Sequence, residues 1–192
     1  METDIHALIE RADRSDPAAA DALFGMLYAE LHRVAEGSLR RAGSSLTLGP
    51  TTLLHEAYLN MAGRAKVTYP DQARFLGYAS RAMRGLVIDY TRRRRAKKRG
   101  SELLITLEAD ELPSESAAQE TRELERLGDA LDELAKIEPG LAELVDMHFF
   151  CGFTFNEIAT LRDVSARTVQ RDWRKARLLL HRSLLDEEDA RS

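Results

Sequence analysis

The spacing of apolar residues predicts helices along most of the chain. Apolar positions in residues 23–34 recur at intervals of three and four, and Asp16 before Pro17 has the form of an N-cap and a first-turn proline. These features predict one helix from Pro17 to about residue 41. A second helix is expected from residue 51, and a third over residues 71–98, where an apolar stripe continues through several turns.

The composition changes after the third helix. Residues 101–121 carry six acidic residues and no Lys or Arg, which is typical of a flexible connector. Regular apolar spacing returns at Leu124. The sequence therefore predicts an all-α protein with two small helical domains joined by a flexible acidic linker. The predicted segments are a first domain over 1–98, a linker over 99–122, a second domain over 123–186 and an acidic tail over 187–192.

The second domain contains a helix-turn-helix pattern. Thr154 and Glu157 form a capping box that opens a short helix, and Ser165 caps a second helix after a tight turn. In such motifs the second helix lies in the major groove, where Arg pairs with guanine and Gln with adenine. The polar residues left outside the apolar stripe of that helix are the predicted DNA contacts: Arg167, Thr168, Gln170, Arg171, Arg174 and Lys175.

The segregation of charge favours DNA contact over an ordinary solvated hairpin. Residues 123–146 hold eight acidic and two basic residues, whereas residues 162–182 hold seven basic and two acidic ones. A merely solvated surface has no reason to separate its charges in this way.

A second basic surface lies on the third helix. Residues 73–99 carry ten basic residues and one acidic residue, Asp89, although the whole chain has a formal net charge of -4. A flexible basic tail is the simpler alternative. The interleaved Tyr78 and Tyr90 favour instead a helix that follows a phosphate backbone and offers aromatic surface to unstacked bases.

The composition argues against several other classes of protein. The single cysteine, Cys151, cannot form an internal disulfide, and five scattered histidines predict no metal site and no cofactor. Neither a phosphate loop nor paired catalytic groups are evident, so we expect no enzyme. The acidic start of the chain and the lack of a long apolar run predict a cytoplasmic protein without a membrane partner.

Together these segments resemble a known family. The stretches FLGYASRAMRGLVIDYTRRRRAKKRG and FNEIATLRDVSARTVQRDWRKARLLLHRSL, in this order, are similar to the extracytoplasmic-function (ECF) group of bacterial sigma-70 factors. The likeness covers about residues 17–185. It implies an RNA polymerase subunit in which domain two binds the clamp helices and opens the minus-ten element, while domain four binds the flap and reads the minus-thirty-five element.

The resemblance also implies roles for individual residues. Those expected at the minus-ten element are Arg81, Arg84, Asp89, Arg92, Arg93, Arg94 and Arg95. The reading loop is expected over residues 66–72. Those expected to contact the polymerase core are Leu53, Leu54, Glu56, Tyr58 and Met61. The acidic connector is expected to run along a basic channel of the polymerase.

One departure from the family pattern suggests a form of control. The helix expected to dock on the clamp begins with acidic residues in most relatives, whereas here only Glu56 is charged in LGPTTLLHEAYLNM. We hypothesise that phosphorylation of Thr51 or Thr52 supplies the missing charge, so that a Ser/Thr kinase replaces the usual anti-sigma factor. The alternative is that both threonines are caps and the interface is apolar.

A helix-turn-helix regulator that never binds polymerase is the alternative function. It accounts for the second domain but not for the basic-aromatic helix or the acidic connector.

Overall fold

The computed structural model describes residues 5–14, 16–42, 48–62, 71–101 and 115–189. Every regular element in these ranges is helical, which confirms the all-α prediction. A π-helical turn, Asp146–Phe150, lies between the seventh and eighth α-helices. The α-helices are α1 (Ile5–Asp13), α2 (Pro17–Met26), α3 (Tyr28–Ala42), α4 (Pro50–Ala62), α5 (Gln72–Ser101), α6 (Glu115–Ile137), α7 (Pro139–Val145), α8 (Phe155–Leu161) and α9 (Ala166–Asp189).

The first predicted helix is two helices in the structure. Asp16 caps α2 as expected, with its carboxylate accepting from the backbone N–H groups of Ala18 and Ala19. The helix then bends at Leu27, which has φ −96° and ψ 14°. Because Leu23, Leu27 and Leu31 are all buried, the bend keeps the apolar stripe in the core. The prediction of a single helix was therefore wrong. The apolar stripe runs through the bend without interruption, so the sequence pattern gave no indication of the break.

The acidic connector is described only in part. Helix α6 begins at Glu115, inside the stretch assigned to the linker. Residues 102–114 lie outside the described residues, as do residues 63–70, which include most of the expected minus-ten loop, and 190–192 of the tail. The flexible linker and the domain boundaries therefore stay predictions.

Helices α3, α4 and α5 pack against one another in the N-terminal module, α1–α5. Leu31, Val34, Leu53, Leu76 and Met83 are fully buried there. Burying an aliphatic side chain of this size contributes about 1.5–3 kcal/mol relative to leaving it exposed. The apolar stripe of α5 thus faces the core, as its period predicts.

The C-terminal module, α6–α9 with the π turn, packs directly on the N-terminal module. Helix α5 contacts both α6 and the π turn, and α3 also contacts the π turn. Met147 and Phe150 of the π turn are buried in a core that is continuous across both modules. The two modules therefore pack together in the structure.

Candidate nucleic-acid interface

The helix-turn-helix begins with the predicted capping box. The Thr154 hydroxyl accepts from the Glu157 backbone N–H at 3.2 Å, and the Thr154 N–H donates to the Glu157 carboxylate at 2.7 Å. The Arg33 guanidinium also donates to Glu157, at 2.7 Å. These donors, Arg33 first, lower the pKa of Glu157 to about 2. The start of α8 is therefore held to α3 of the other module by a carboxylate that is ionised at neutral pH.

The turn between α8 and α9 is tight. Asp163 has φ 51°, in the left-handed region that Asp tolerates better than most residues. The Val164 N–H donates back to the Ala159 carbonyl at 3.0 Å, and the Ser165 hydroxyl accepts from the Thr168 N–H at 3.1 Å. Both predicted caps of the motif are therefore present, and they determine where α9 begins.

Helix α9 has one buried face and one exposed face. Val169, Ala176 and Leu180 are buried, while Trp173 is half-buried against the His148 and Phe155 rings. Because Trp173 packs inside the motif, it is not free to stack on a base. The predicted contacts lie on the other face: Arg167, Gln170, Arg171, Arg174 and Lys175 are exposed, and Thr168 is half-buried beside Ser165.

The exposed residues of α9 differ in their partners. Arg171 pairs with Asp172 at 3.0 Å, and Lys175 pairs with Glu138 at 2.6 Å. Both are surface pairs, which contribute about 0–1 kcal/mol and are readily exchanged for phosphate. Arg167, Gln170 and Arg174 make no hydrogen bond or ion pair within the described part of the chain. The N-terminal turns of α9 therefore present two guanidinium groups and an amide to solvent.

The predicted minus-ten residues on α5 do not form one open surface. Arg81 pairs with Asp132 at 3.3 Å, and Arg92 pairs with Asp129 at 3.0 Å, both on α6. The pKa of Arg92 is raised, chiefly because its guanidinium donates to Asp129. Of the remaining residues, Asp89 and Arg93 are exposed, Arg94 is half-buried, and the side chain of Arg95 lies outside the described residues.

Arg84 is buried, with 2% of its surface exposed. Its Nε donates to Asp146 Oδ1 at 2.6 Å, and its two terminal nitrogens donate to the Gly128 carbonyl and the Asp132 carboxylate, each at 3.1 Å. Burial would lower the pKa of Arg84, but Asp146 and Asp132 together leave it raised. Burial also raises the pKa of Asp146 to about 6, although Arg84 opposes this shift. In this arrangement Arg84 joins the two modules and does not face solvent.

The predicted polymerase contacts on α4 fall on two faces. Leu53, Leu54 and Met61 are buried in the chain's own core. Tyr58 is half-buried, and its hydroxyl donates to Asp21, which raises the pKa of the phenol. Of the five residues only Glu56 is fully at the surface. A helical period identifies an apolar stripe but does not show whether that stripe faces the chain's own core or a binding partner. The list of predicted polymerase contacts therefore combined core residues with surface residues.

The surface of α4 includes a residue that the sequence reading missed. Leu59 is 53% exposed and lies three residues after Glu56, on the same face. Thr51, Thr52 and His55 are also exposed. The sequence could have identified Leu59 as a surface residue, because it lies one turn after Glu56 and outside the buried stripe.

The described residues show no group of three or more His, Cys, Asp or Glu side chains arranged to hold a metal ion. Burial raises the pKa of Cys151 to about 12, so its thiol stays protonated at neutral pH. Among the helices that the structure describes, none is long and apolar enough to span a bilayer.

One known protein family matches nearly the whole chain. The model of the ECF sigma factor family matches residues 2–186, which include both modules and the segment between them. A sequence comparison with curated proteins finds no match. The family consists of RNA polymerase sigma factors, which bind the polymerase core and promoter DNA in transcription initiation, and it is not an enzyme family. Because the match extends over nearly all of the chain, this protein belongs to the ECF sigma factor family.

Proposed function

We propose that this chain is a dissociable sigma subunit that brings core polymerase to a defined set of promoters and opens them. The observation that carries the proposal is the exposed N-terminal face of α9, where Arg167, Gln170 and Arg174 point away from a buried motif core. Arg167 and Gln170 suit the base edges of the major groove at a minus-thirty-five element, and Arg174, one turn further along α9, suits an adjacent phosphate.

The N-terminal module has the complementary role in this proposal. Helix α5 supplies Arg81 and Arg92 to Arg95 to the minus-ten element, with the buried Arg84 behind them, and α4 docks on the clamp of the polymerase. The exposed face of α4, with Glu56 and Leu59, provides the docking surface. Leu53, Leu54 and Met61 support that face from the core.

The competing function is a helix-turn-helix regulator that acts without polymerase. Purified chain is mixed with bacterial core polymerase, and the complex is sought by gel filtration and by run-off transcription on genomic fragments. A sigma factor comigrates with core and starts transcripts at discrete sites. Sequence-specific DNA binding in the absence of any core complex would overturn the proposal in favour of the regulator.

We further propose that phosphorylation of α4 controls core binding. Thr51 and Thr52 are exposed in the first turn of α4, which contains no acidic residue. Because the helix begins at Pro50, these threonines lie inside its first turn rather than at its N-cap. A phosphate there would lie at the positive end of the helix dipole and would supply the negative charge that the first turn of α4 lacks.

We expect Thr51→Asp/Thr52→Asp to bind core at least about threefold more tightly than the matching double alanine variant, because each added carboxylate can pair with a basic residue of the clamp and an exposed ion pair contributes about 0.2–1 kcal/mol. The affinities are measured by fluorescence anisotropy with labelled core. Thr160→Asp, an exposed threonine of the other module, controls for added charge alone. Equal affinities of the aspartate and alanine variants would refute the switch.

A further inference from the structure

The second half of α9 carries leucines that the chain's own core does not use. Leu178 is 73% exposed and Leu185 is 48% exposed. Leu178 lies two positions from each of Ala176 and Leu180, which are both buried. Because two positions rotate an α-helix by about 200°, Leu178 points away from that core, and Leu185, about two turns later, lies on the same side. This part of α9 therefore presents a pair of leucines to solvent.

Charge is ordered along the same side of the helix. Residues 174–177 include three basic residues, and residues 186–189 are all acidic. Lys175 and Asp186 are exposed and about three turns apart, so they lie on one side of the helix, before and after the leucines. The order is therefore basic, apolar, acidic. We call Lys175, Leu178, Arg182, Leu185 and Asp186 the outer side of α9.

Two copies of the outer side are complementary when they run in opposite directions. Antiparallel pairing sets Leu178 of each copy against Leu185 of the other, and Lys175 of each against Asp186 of the other. Parallel pairing would align like charges, which repel. Charged residues beside an apolar helix contact set its orientation in this way. Lys175 pairs with Glu138 at 2.6 Å in the single chain, but a surface pair is readily exchanged for another.

We propose that the free chain forms an antiparallel dimer with a second copy of itself through residues 174–189 of α9. The contact is isologous, since the same side is used by both copies, and it closes at two. Two leucines per copy on a short stretch of helix bury less than about 1,200 Å² in total, which is the range of weak, transient interfaces. The dimer therefore populates at high protein concentration and dissociates on dilution. The inference does not depend on the proposed function.

Arg182 limits the strength of this contact. It is exposed and lies between the two leucines on the outer side, near the two-fold axis, so each copy's Arg182 faces its own counterpart. Arg182→Leu should tighten the dimer about tenfold, because it removes this repulsion and extends the apolar contact. Arg167→Leu makes the same change at an exposed position of α9 outside residues 174–189, and should alter the dissociation constant less than about twofold.

The test is sedimentation velocity of the full chain from low micromolar to several hundred micromolar, without DNA or polymerase. The wild type should pass from monomer to dimer over this range. Leu178→Ser should weaken the dimer at least about tenfold, because two leucines leave each interface. Leu59→Ser is the matched control: Leu59 is 53% exposed on α4, so the change removes the same side chain from another surface and should leave the association unchanged.

Charge reversal tests the antiparallel orientation. Lys175→Glu and Asp186→Lys should each be monomeric alone, because each places like charges opposite one another twice in its own dimer. Mixed in equal amounts, the two variants should form a mixed dimer, since both pairs across the contact are then of opposite sign. Circular dichroism of each variant checks that the helices are retained.

Three results would overturn the proposal: a wild type that stays monomeric at the highest concentration, a dimer that Leu178→Ser leaves intact, or charge-reversed variants that do not recover association when mixed. In the first case the exposed leucines would be left for another partner, such as the polymerase. The assay contains neither DNA nor core, so its failure is distinct from failure of core binding and run-off transcription, which tests the proposed function.

Discussion

Arg84→Met is expected to lower the free energy of unfolding by about 3–5 kcal/mol at pH 8, because it leaves the buried Asp146 carboxylate without its partner. Burial already raises the pKa of Asp146 to about 6 with Arg84 present, and Arg84 acts to lower it. Removing Arg84 therefore raises that pKa further. The measurement is urea denaturation monitored by circular dichroism.

The sign of the pH dependence follows from these shifts. A carboxyl whose pKa is higher in the folded than in the unfolded protein stabilises the fold at low pH, and this stability is lost as the pH rises through the folded value. In the variant that loss extends to higher pH than in the wild type. The difference between the two proteins should consequently be largest at pH 8 and should shrink as the pH falls toward 6, below which Asp146 is protonated in both folded proteins.

Two further variants separate this mechanism from general damage. The double variant Arg84→Met/Asp146→Leu replaces the ion pair by apolar groups and should recover most of the lost stability. Arg92→Met removes an arginine that is 45% exposed and should cost less than about 1 kcal/mol. A similar loss in Arg84→Met and Arg92→Met would contradict the buried-pair account.

Arg167→Ala and Gln170→Ala should each weaken holoenzyme binding to its promoter by about 1–3 kcal/mol, or roughly 5- to 150-fold. Both side chains are exposed in the first turns of α9 and lie clear of the ion pairs that the structure describes. A residue that reads a base edge also relaxes the preference at that base when it is removed. The measurement is competition binding with promoter variants in the minus-thirty-five element, using a promoter obtained from the run-off assay.

The same helix offers matched controls for this prediction. Arg177→Ala removes an exposed arginine further along α9, beyond the turns expected to enter the groove, and should leave base preference unchanged. Arg174→Ala should weaken binding to all sequences alike and reduce the slope of affinity against salt by about one, as expected of a phosphate contact. If Arg167→Ala and Gln170→Ala behaved like Arg177→Ala, α9 would not be the reading helix.

Local features of this protein were readable from its sequence. The capping box of Thr154 and Glu157, the Ser165 cap and the buried stripe of α9 each depend on residues three or four positions apart, and all are present in the structure. The all-α fold follows from the same short-range rules. Family membership was also accessible, because it rests on the order of two motifs along the chain.

The sequence was a poorer guide to which side of each helix faces the rest of the protein. On α4 the sequence indicated apolar residues without showing that Leu53 and Leu54 are buried and that Leu59 is exposed. On α5 it grouped Arg84 with the exposed arginines of a basic surface. Both helices contact several neighbours, and the choice of face depends on those neighbours rather than on the period of the helix itself.

The amino-acid sequence alone predicts the all-α class, the caps of α2, α8 and α9, the helix-turn-helix and the separation of basic from acidic segments, because these depend on near neighbours and on composition. Only the tertiary structure decided that the two modules share one core and that Arg84 pairs with Asp146, which is 62 positions away. A basic residue in a basic run has the same local pattern whether it faces DNA or a distant carboxylate. The partner that buries it is supplied by folding, and its identity is therefore absent from any local pattern.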